Sequence, residues 1–330
     1  MNHPFFGRTG LRISPLVMGT MSFGGDADEA TSEALFNLAL SAGIHTFDCA
    51  NVYAGGRSEE LLGKFAKSRR NELVLTTKAY FPSGDGPNDR GSSRYHLIQA
   101  VEASLRRLQT DRIDVFFLHR HDDATALDET LRGLEVLIQQ GKILYPAVSN
   151  FSAWQTMKAL GVAEALGLTP IVATQPMYNL VKRQAEVEIL PMAASEGIAV
   201  LPYSPLGGGL LTGKYDTSKQ PKAGRLVDNK MYTTRYGSQD NFAVAQRFSE
   251  LAASLDVHPV TLAISWVRSH PAVTAPLIGA RSVEQLTPAL AALDFEMSSE
   301  LRAEISALSP SPPPATDRNE ESSAHNYGSR

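Results

Sequence analysis

The feature that most constrains this fold is an alternation of short apolar segments with amphipathic helical patterns, which repeats eight times along the chain. The apolar segments are rich in Val, Ile, Leu and Phe, as expected for strands buried on both faces. Such strands separated by helices indicate a parallel sheet with crossover helices. The eight predicted strands are Leu16–Met21, His45–Cys49, Leu73–Lys78, Ile113–His119, Ile143–Ser149, Ile171–Met177, Ala199–Tyr203 and Thr274–Ile278.

Two architectures share this alternation, the doubly wound open sheet and the closed (β/α)8 barrel. No dinucleotide-binding glycine fingerprint follows the first predicted strand, and eight units favour closure. We therefore predict a (β/α)8 TIM barrel that occupies residues 1–308 as a single domain, a usual length for this fold.

Three segments fall outside the alternation. Residues 5–15 carry turn residues between short apolar stretches, which predicts a β-hairpin that plugs one end of the barrel. Residues 207–239 follow the seventh strand and predict a long lid loop, because loops of this length are usually functional. Residues 309–330 are polar and rich in proline, which predicts a disordered tail.

Composition excludes several classes of function. The formal net charge of −4 provides no bulk attraction to nucleic acid or to an anionic membrane. No apolar run is long enough to span a bilayer, and the first residues lack the pattern of a secretory signal. The single cysteine, Cys49, excludes an internal disulfide and is predicted to pack in the core. A cytoplasmic location is the simplest expectation.

Four titratable side chains lie where predicted strands end. Asp48 ends strand two, Tyr53 lies in the loop after it, Lys78 ends strand three and His119 ends strand four. In a (β/α)8 barrel the catalytic residues lie at this end of the strands. We therefore expect the four groups to meet in one site, although a purely structural Asp48–Lys78 ion pair would give the same sequence pattern.

This set of groups predicts acid catalysis. A free phenol, with a pKa of about 10, is a poor proton donor at neutral pH. A lysine ammonium held by a carboxylate would favour the phenolate and make Tyr53 a better acid. His119 would orient the substrate oxygen or share the proton. The alternative, a Schiff base on Lys78, ranks lower because Asp48 keeps that amine protonated.

Over residues 5–308 the chain resembles the aldo-keto reductase superfamily. The resemblance is carried by GRTGLRISPLVMGTMSFG, FDCANVYAGGRSEELLG, TTKAY, RIDVFFLHRHD, VSNF, TQPMYN, YSPLGGGLLTGKY and PLIGARSVEQL, in that order. It is strongest to the branch with bacterial general reductases, aryl-alcohol dehydrogenases and potassium-channel β subunits. The resemblance implies hydride transfer from NADPH to an aldehyde or ketone, with Asp48, Tyr53, Lys78 and His119 as the catalytic tetrad.

The resemblance also implies the residues that bind NADPH or NADP⁺. They are Gly19, Thr20 and Met21 at the end of the first predicted strand; Ser149, Asn150 and Gln175 at the nicotinamide carboxamide; Tyr203 stacked on the nicotinamide ring; Ser204, Pro205, Leu206 and Gly208 along the pyrophosphate; Lys214 at a phosphate; and Gly279, Arg281 and Gln285 at the adenosine half. The planar donor fork of Arg281 suits a 2′-phosphate, which favours NADP over NAD.

Two features depart from simple patterns. The family commonly has an acidic residue and Asn where this chain has Pro288 and Ala289, which weakens the expected NADP preference. Residues 208–215, GGLLTGKY, nearly match a phosphate-binding P-loop, but Tyr215 replaces the hydroxyl that would bind Mg²⁺. We therefore predict no nucleotide hydrolysis, and an exposed loop lysine is the alternative interpretation of Lys214.

The predicted partner is a small carbonyl compound, aromatic or aliphatic. Met21, Phe23, Tyr80 and Phe81 follow strand ends and are candidates for an apolar substrate pocket, with core or lid packing as the alternative. A second functional hypothesis is a regulatory subunit that binds NADPH and turns over slowly. The sequence assigns no oligomeric state.

Overall fold

The computed structural model describes residues 3–215 and 224–315. Within these ranges eight strands form one sheet, in the order β7-β6-β5-β4-β3-β2-β1-β8, and every neighbouring pair is parallel. The prediction of eight parallel strands is confirmed. The strands are β1 (Val17–Gly19), β2 (Thr46–Asp48), β3 (Val74–Ala79), β4 (Ile113–Leu118), β5 (Ile143–Ser149), β6 (Ala173–Gln175), β7 (Ala199–Val200) and β8 (Leu277–Ile278).

Backbone hydrogen bonds also join the two ends of this sheet. The N–H of Thr274 donates to the carbonyl of Val200 at 2.9 Å, and the N–H of Leu277 donates to the carbonyl of Pro202 at 2.8 Å. The curled sheet with its interleaved helices is consistent with a (β/α)8 barrel.

Six of the eight strands are shorter than predicted, and prolines interrupt two of them, β6 and β7. Pro176 and Pro202 have no N–H to donate to a ladder, and β6 and β7 end just before them. Pairing resumes beyond both prolines as an isolated parallel bridge between Met177 and Tyr203. The predicted course of the chain is therefore correct, although the regular strands are shorter.

Helices connect the strands and cover the outside of the sheet. Ser152 and Gln155 form a capping box at the start of the fifth helix. The helices are α1 (Glu29–Ser41), α2 (Arg57–Ala66), α3 (Arg94–Leu108), α4 (Leu127–Gln139), α5 (Ala153–Leu166), α6 (Ile189–Glu196), α7 (Arg225–Asp228), α8 (Lys230–Tyr236), α9 (Gln239–Ser254), α10 (Pro259–Arg268), α11 (Val283–Leu290) and α12 (Ser299–Ala307). No helix in the described ranges is both long and apolar enough to cross a membrane.

The strands are buried on both faces, and alternate residues enter different apolar clusters. On β4, Val115 and Phe117 join a cluster made mainly of strand residues, which is the interior of the sheet. Phe116 and Leu118 belong instead to a cluster shared with the helices. This alternation decides which side chains of each strand point into the interior.

The start of the chain folds back on itself. Phe5 and Arg12 form an isolated antiparallel bridge, and the N–H of Phe6 donates to the carbonyl of Leu11 at 2.7 Å. Phe6 is buried in the interior cluster. That residues 5–15 plug the barrel stays a prediction.

The segment after β7 is more helical than the predicted lid loop. Asn229 caps α8 by accepting a hydrogen bond from the N–H of Met231 at 3.0 Å, and Tyr232 and Tyr236 bury one face of that helix. The prediction of a loop is therefore wrong for residues 225–228 and 230–236, while residues 216–223 lie outside the described ranges. A lid role stays a prediction.

After helix α12, the chain forms no further regular structure up to residue 315. The rest of the predicted tail, residues 316–330, lies outside the described ranges. Its disorder stays a prediction.

Candidate active site

Strand alternation aims Asp48 and Lys78 into the interior of the sheet. Phe47 and Cys49 belong to the cluster shared with the helices, so Asp48 between them points the opposite way. On β3, Val74 lies in the interior cluster, and Lys78 is four residues further along the same face. The prediction that Cys49 packs in the core is confirmed.

Asp48 and Lys78 form a buried ion pair. Lys78 Nζ donates to Asp48 Oδ2 and, at 2.7 Å, to the carbonyl of Cys49. The two side chains are 0% and 2% exposed. Asp48 Oδ1 accepts from Thr76 Oγ1 at 2.7 Å and from Gln175 Nε2 at 3.0 Å. These hydrogen bonds hold the ion pair, and therefore the Lys78 ammonium, in a fixed position.

Tyr53 lies beside this ammonium. It begins a short 3₁₀ turn, Tyr53–Gly56, which ends with Gly56 at φ 97°. Gly56 has a left-handed backbone conformation, and a Cβ on it would lie 2.9 Å from Arg107 Cδ. The turn therefore needs glycine at this position. Lys78 Nζ lies 5.4 Å from the centroid of the Tyr53 ring.

His119 completes the group. Its ring centroid lies 6.1 Å from that of Tyr53 and 5.0 Å from that of Phe81. Burial, reinforced by the charge of Lys78, lowers the pKa of His119 to about 3. The imidazole is therefore neutral at physiological pH, and its buried Nδ1 has no hydrogen-bond partner among the described residues. The four predicted side chains thus lie together, while their catalytic roles stay predictions.

The depressed pKa of His119 predicts a pH dependence of stability. Its pKa is about 3 in the folded chain against an ordinary value of 6.5, so the unfolded chain binds more protons between these pH values. Stability is therefore lost as pH falls through this window, by at most about 1.4 kcal/mol per pH unit. We expect His119→Gln to flatten the decline in urea-unfolding free energy between pH 6.5 and 5. His3→Gln is the control. If the unfolding free energy of His119→Gln declined with pH as steeply as that of the control, the predicted contribution of His119 would be contradicted.

A second hydrogen-bonded group lies beside the tetrad. Asn150 Nδ2 donates to the carbonyl of His119 at 2.9 Å and to Ser149 Oγ at 3.1 Å. Tyr203 donates its hydroxyl to Asn150 Oδ1 at 2.6 Å, and burial raises the pKa of Tyr203 to about 12. Ser149 Oγ in turn donates to the carbonyl of Gln175 at 3.0 Å. The predicted nicotinamide residues therefore lie together and retain acceptor lone pairs on Asn150 and Gln175.

The loop after β1 lies against the same end of the sheet. The N–H of Thr20 donates to the carbonyl of Asp48 at 2.9 Å, and its hydroxyl donates to the same carbonyl at 3.1 Å. Gly19 and Gly279 approach closely, since a Cβ on Gly279 would lie 3.4 Å from the carbonyl oxygen of Gly19. Met21, at 42% exposure, lies at the surface.

The predicted phosphate segment turns sharply after β7. Ser204 has φ 56°, and the next positions, Pro205 and Leu206, lead into a 3₁₀ turn over Gly207–Thr212. A Cβ on Gly208 would lie 2.7 Å from Tyr232 Cδ1, so this backbone requires glycine. Lys214 is exposed, and its Nζ lies 5.3 Å from the centroid of the Tyr215 ring.

Arg281 follows β8 and is already paired. Its Nε lies 2.9 Å from Asp26 Oδ2, and its backbone N–H donates to Gln285 Oε1 at 3.1 Å. Pro288 lies within α11, and Ala289 is buried in the core. The position that would carry the family's Asn is therefore filled by apolar packing.

The substrate-pocket hypothesis needs one correction. Phe23 is fully buried and its ring packs edge-on against Phe65, so it belongs to the core. Tyr80 and Phe81 are partly buried and contact each other edge-on, with ring centroids 5.3 Å apart. Together with Met21 they remain pocket candidates.

Sequence reasoning missed three residues of this region. Thr76 precedes Lys78 by two positions, and strand periodicity alone places both on one face. Glu59 is fully buried and accepts from Thr77 Oγ1 at 2.6 Å and from Arg107 Nε at 2.7 Å. Asp26 pairs with Arg281, and no local pattern in the sequence indicates that contact.

Comparison with known proteins agrees with this geometry. The model of the aldo/keto reductase family matches residues 15–310. The uncharacterized oxidoreductase YrpG of Bacillus subtilis (strain 168) is 38% identical over 94% of this chain and 97% of its own. A probable voltage-gated potassium channel subunit beta of Oryza sativa subsp. japonica is 35% identical over 96% of this chain and 99% of its own. A protein of the same description from Arabidopsis thaliana is 35% identical over 89% and 92% of the two chains.

Proposed function

The chain belongs to the aldo/keto reductase family, and from this premise we propose that it reduces aldehydes or ketones to alcohols with NADPH, with Tyr53 as the proton donor. Family membership and a similar oxidoreductase support the general class. The finer assignment is supported by one observation, the locked Lys78 ammonium 5.4 Å from the centroid of the Tyr53 ring.

The ammonium stabilises negative charge on the phenol. As the substrate oxygen gains charge, Tyr53 gives up its proton, and the phenolate left behind is stabilised by Lys78. Asp48 holds the Lys78 ammonium in place, because breaking the buried ion pair would leave an unpaired charge in the interior. Each residue of the pair thus supports the acid without itself donating the proton.

His119 acts as a neutral hydrogen-bonding group. With its pKa lowered to about 3, the imidazole carries no charge that would compete with the ammonium. A neutral imidazole has one N–H donor, which orients the substrate oxygen toward Tyr53. Phe81, with its ring centroid 5.0 Å from that of His119, provides an apolar wall on one side.

The residues present fit a nicotinamide dinucleotide. Asn150 and Gln175 offer amide groups for the carboxamide, and Tyr203 offers an aromatic face for the ring. Gly208 lies in the turn proposed to follow the pyrophosphate, and Lys214 and Arg281 offer cations for phosphates. When bound there, the reduced cofactor supplies the hydride that reaches the carbonyl carbon.

The direct test is NADPH oxidation, followed by absorbance, with a panel of aromatic and aliphatic aldehydes and ketones. We expect turnover of at least one carbonyl compound, with stoichiometric formation of its alcohol. Tight NADPH binding without turnover of any carbonyl would reject the reductase proposal.

A second candidate function is a regulatory subunit that binds NADPH. It is favoured by the similarity to two probable voltage-gated potassium channel beta subunits, each 35% identical. The presence of all four proposed catalytic residues favours the enzyme, because a regulatory subunit with slow turnover would not need an efficient proton donor. The absorbance assay separates the two, because a regulatory subunit would bind NADPH and turn over slowly or not at all.

Arg281→Ala tests the proposed preference for NADPH. We expect its NADPH Kd to rise about tenfold, which corresponds to about 1.4 kcal/mol, because a guanidinium fork to a 2′-phosphate is lost. The NADH Kd should change less than threefold. Fluorescence titration measures both, with Arg69→Ala, which removes an exposed arginine paired with Glu72, as the control. Equal losses for the two cofactors would remove the 2′-phosphate role.

A further inference from the structure

Two loops at the proposed adenosine end are fixed against each other. The N–H of Ala27 donates to the carbonyl of Ser22 at 2.9 Å, and the N–H of Gly24 donates to the carbonyl of Ala27 at 2.8 Å. Ser22 Oγ then donates to the carbonyl of Ala280 at 2.6 Å. The tight turn that carries Asp26 is thus tied to the residue before Arg281.

These hydrogen bonds bring the carboxylate of Asp26 to Arg281, the residue predicted to bind a phosphate. Asp26 Oδ2 lies 2.9 Å from Arg281 Nε, and the side chains of Arg281 and Asp26 are 39% and 52% exposed. Because the contact is with Nε, the carboxylate lies beside the guanidinium fork that a phosphate would use. Asp26 therefore offsets the positive charge of Arg281 at that point.

Other charges near Arg281 belong to the segment after β7. Burial raises the pKa of Tyr215, the charge of Asp228 adds to this rise and the charge of Arg281 opposes it. Lys214 Nζ lies 5.3 Å from the centroid of the same tyrosine ring. Lys214 and Arg281 thus both act on Tyr215, as does the carboxylate of Asp228, and Asp26 is the carboxylate paired with Arg281.

We propose that Asp26 determines cofactor discrimination, by opposing a 2′-phosphate at Arg281 and accepting a hydrogen bond from a ribose 2′-hydroxyl. This inference rests on the proposed function. A phosphate on the guanidinium fork brings two negative groups to one cation, which repel each other. A hydroxyl in the same place donates to the carboxylate, as acidic residues do in NAD-binding sites. The chain then uses NADH as well as NADPH.

The test is a set of binding titrations that do not depend on turnover. In Asp26→Asn we expect NADPH and adenosine 2′-monophosphate to bind about fivefold to tenfold more tightly, as expected for removing one partly screened charge. NADH should bind the same or a few-fold more weakly. The gain for NADPH should shrink in high salt, because the pair is half exposed.

Two controls isolate the contact. Glu29→Gln removes an acid from the start of α1 whose partners are Arg57 and Lys64, so it should leave the NADPH-to-NADH ratio unchanged. In an Arg281→Ala background, Asp26→Asn should lose most of its effect, because the cation it competes for is gone.

Two outcomes overturn the inference and differ in what else they reject. If Asp26→Asn binds both cofactors with the wild-type ratio, Asp26 has no role in discrimination and the reductase proposal is untouched. If the wild-type chain binds neither NADPH nor NADH, the proposed function fails and the inference fails with it.

Discussion

Replacing Tyr53 with phenylalanine is expected to lower kcat for carbonyl reduction by about 10²- to 10⁴-fold, the usual contribution of a positioned general acid. The phenyl ring keeps the packing of Tyr53 against the core and its distance to Lys78, so only the proton donor is removed. NADPH affinity should stay within about twofold, because the predicted cofactor contacts belong to other residues.

The measurement is steady-state kinetics together with a fluorescence titration of NADPH. Tyr95→Phe is the matched control, since it removes the hydroxyl of a tyrosine that is 63% exposed on α3. A Tyr53→Phe enzyme with kcat within threefold of wild type would show that another group or water protonates the product. Loss of both kcat and NADPH binding would point instead to a role for the hydroxyl in holding the loop.

The placement of Asp48 and Lys78 was predictable because it depends on local rules. Period-two alternation puts Asp48 and Lys78 inside once Phe47 and Cys49 are outside, and parallel pairing brings Asp48 opposite Thr76. The eight strands were predictable for the same reason, because each is a buried apolar segment of the sequence. Nothing beyond neighbouring strands is needed to place these residues together.

Contacts across the sheet were not predictable in this way. Gln175 donates to Asp48 from 127 residues away, and β6 is not a neighbour of β2. The curvature of the sheet brings the two side chains together. Asp26 and Arg281 meet because one backbone-tied turn lies against the loop after β8, and the sequence carries no spacing rule for such a contact.

The short helices after β7 were not predicted, and for Phe23 the structure favours core packing, the alternative to a pocket role. Helix α8 spans only Lys230–Tyr236, too short to show a helical period in a segment with many glycines and lysines. Its stability comes from burying Tyr232 and Tyr236, which is tertiary packing. Phe23 follows a strand end, as a pocket residue would, yet the loop after β1 turns it back into the core.

The second large effect concerns the buried ion pair. Asp48→Asn or Lys78→Met alone should lower the free energy of unfolding by about 3–5 kcal/mol, because each leaves a buried charge without its partner. The side chains are 0% and 2% exposed, so water cannot replace the missing ion. Urea unfolding at neutral pH measures the loss. A loss under about 1 kcal/mol in both single variants would contradict the buried-pair interpretation.

The double variant separates stability from chemistry. Asp48→Asn with Lys78→Met removes both charges, and it should recover at least half of the stability that either single variant loses. The amide oxygen that Asp48→Asn introduces can still accept the hydrogen bond from Thr76, so the site keeps part of its network. Turnover should nevertheless remain as low as in Lys78→Met, because no cation is left to stabilise the Tyr53 phenolate. A refolded double variant that regained activity would show that the pair serves the fold alone.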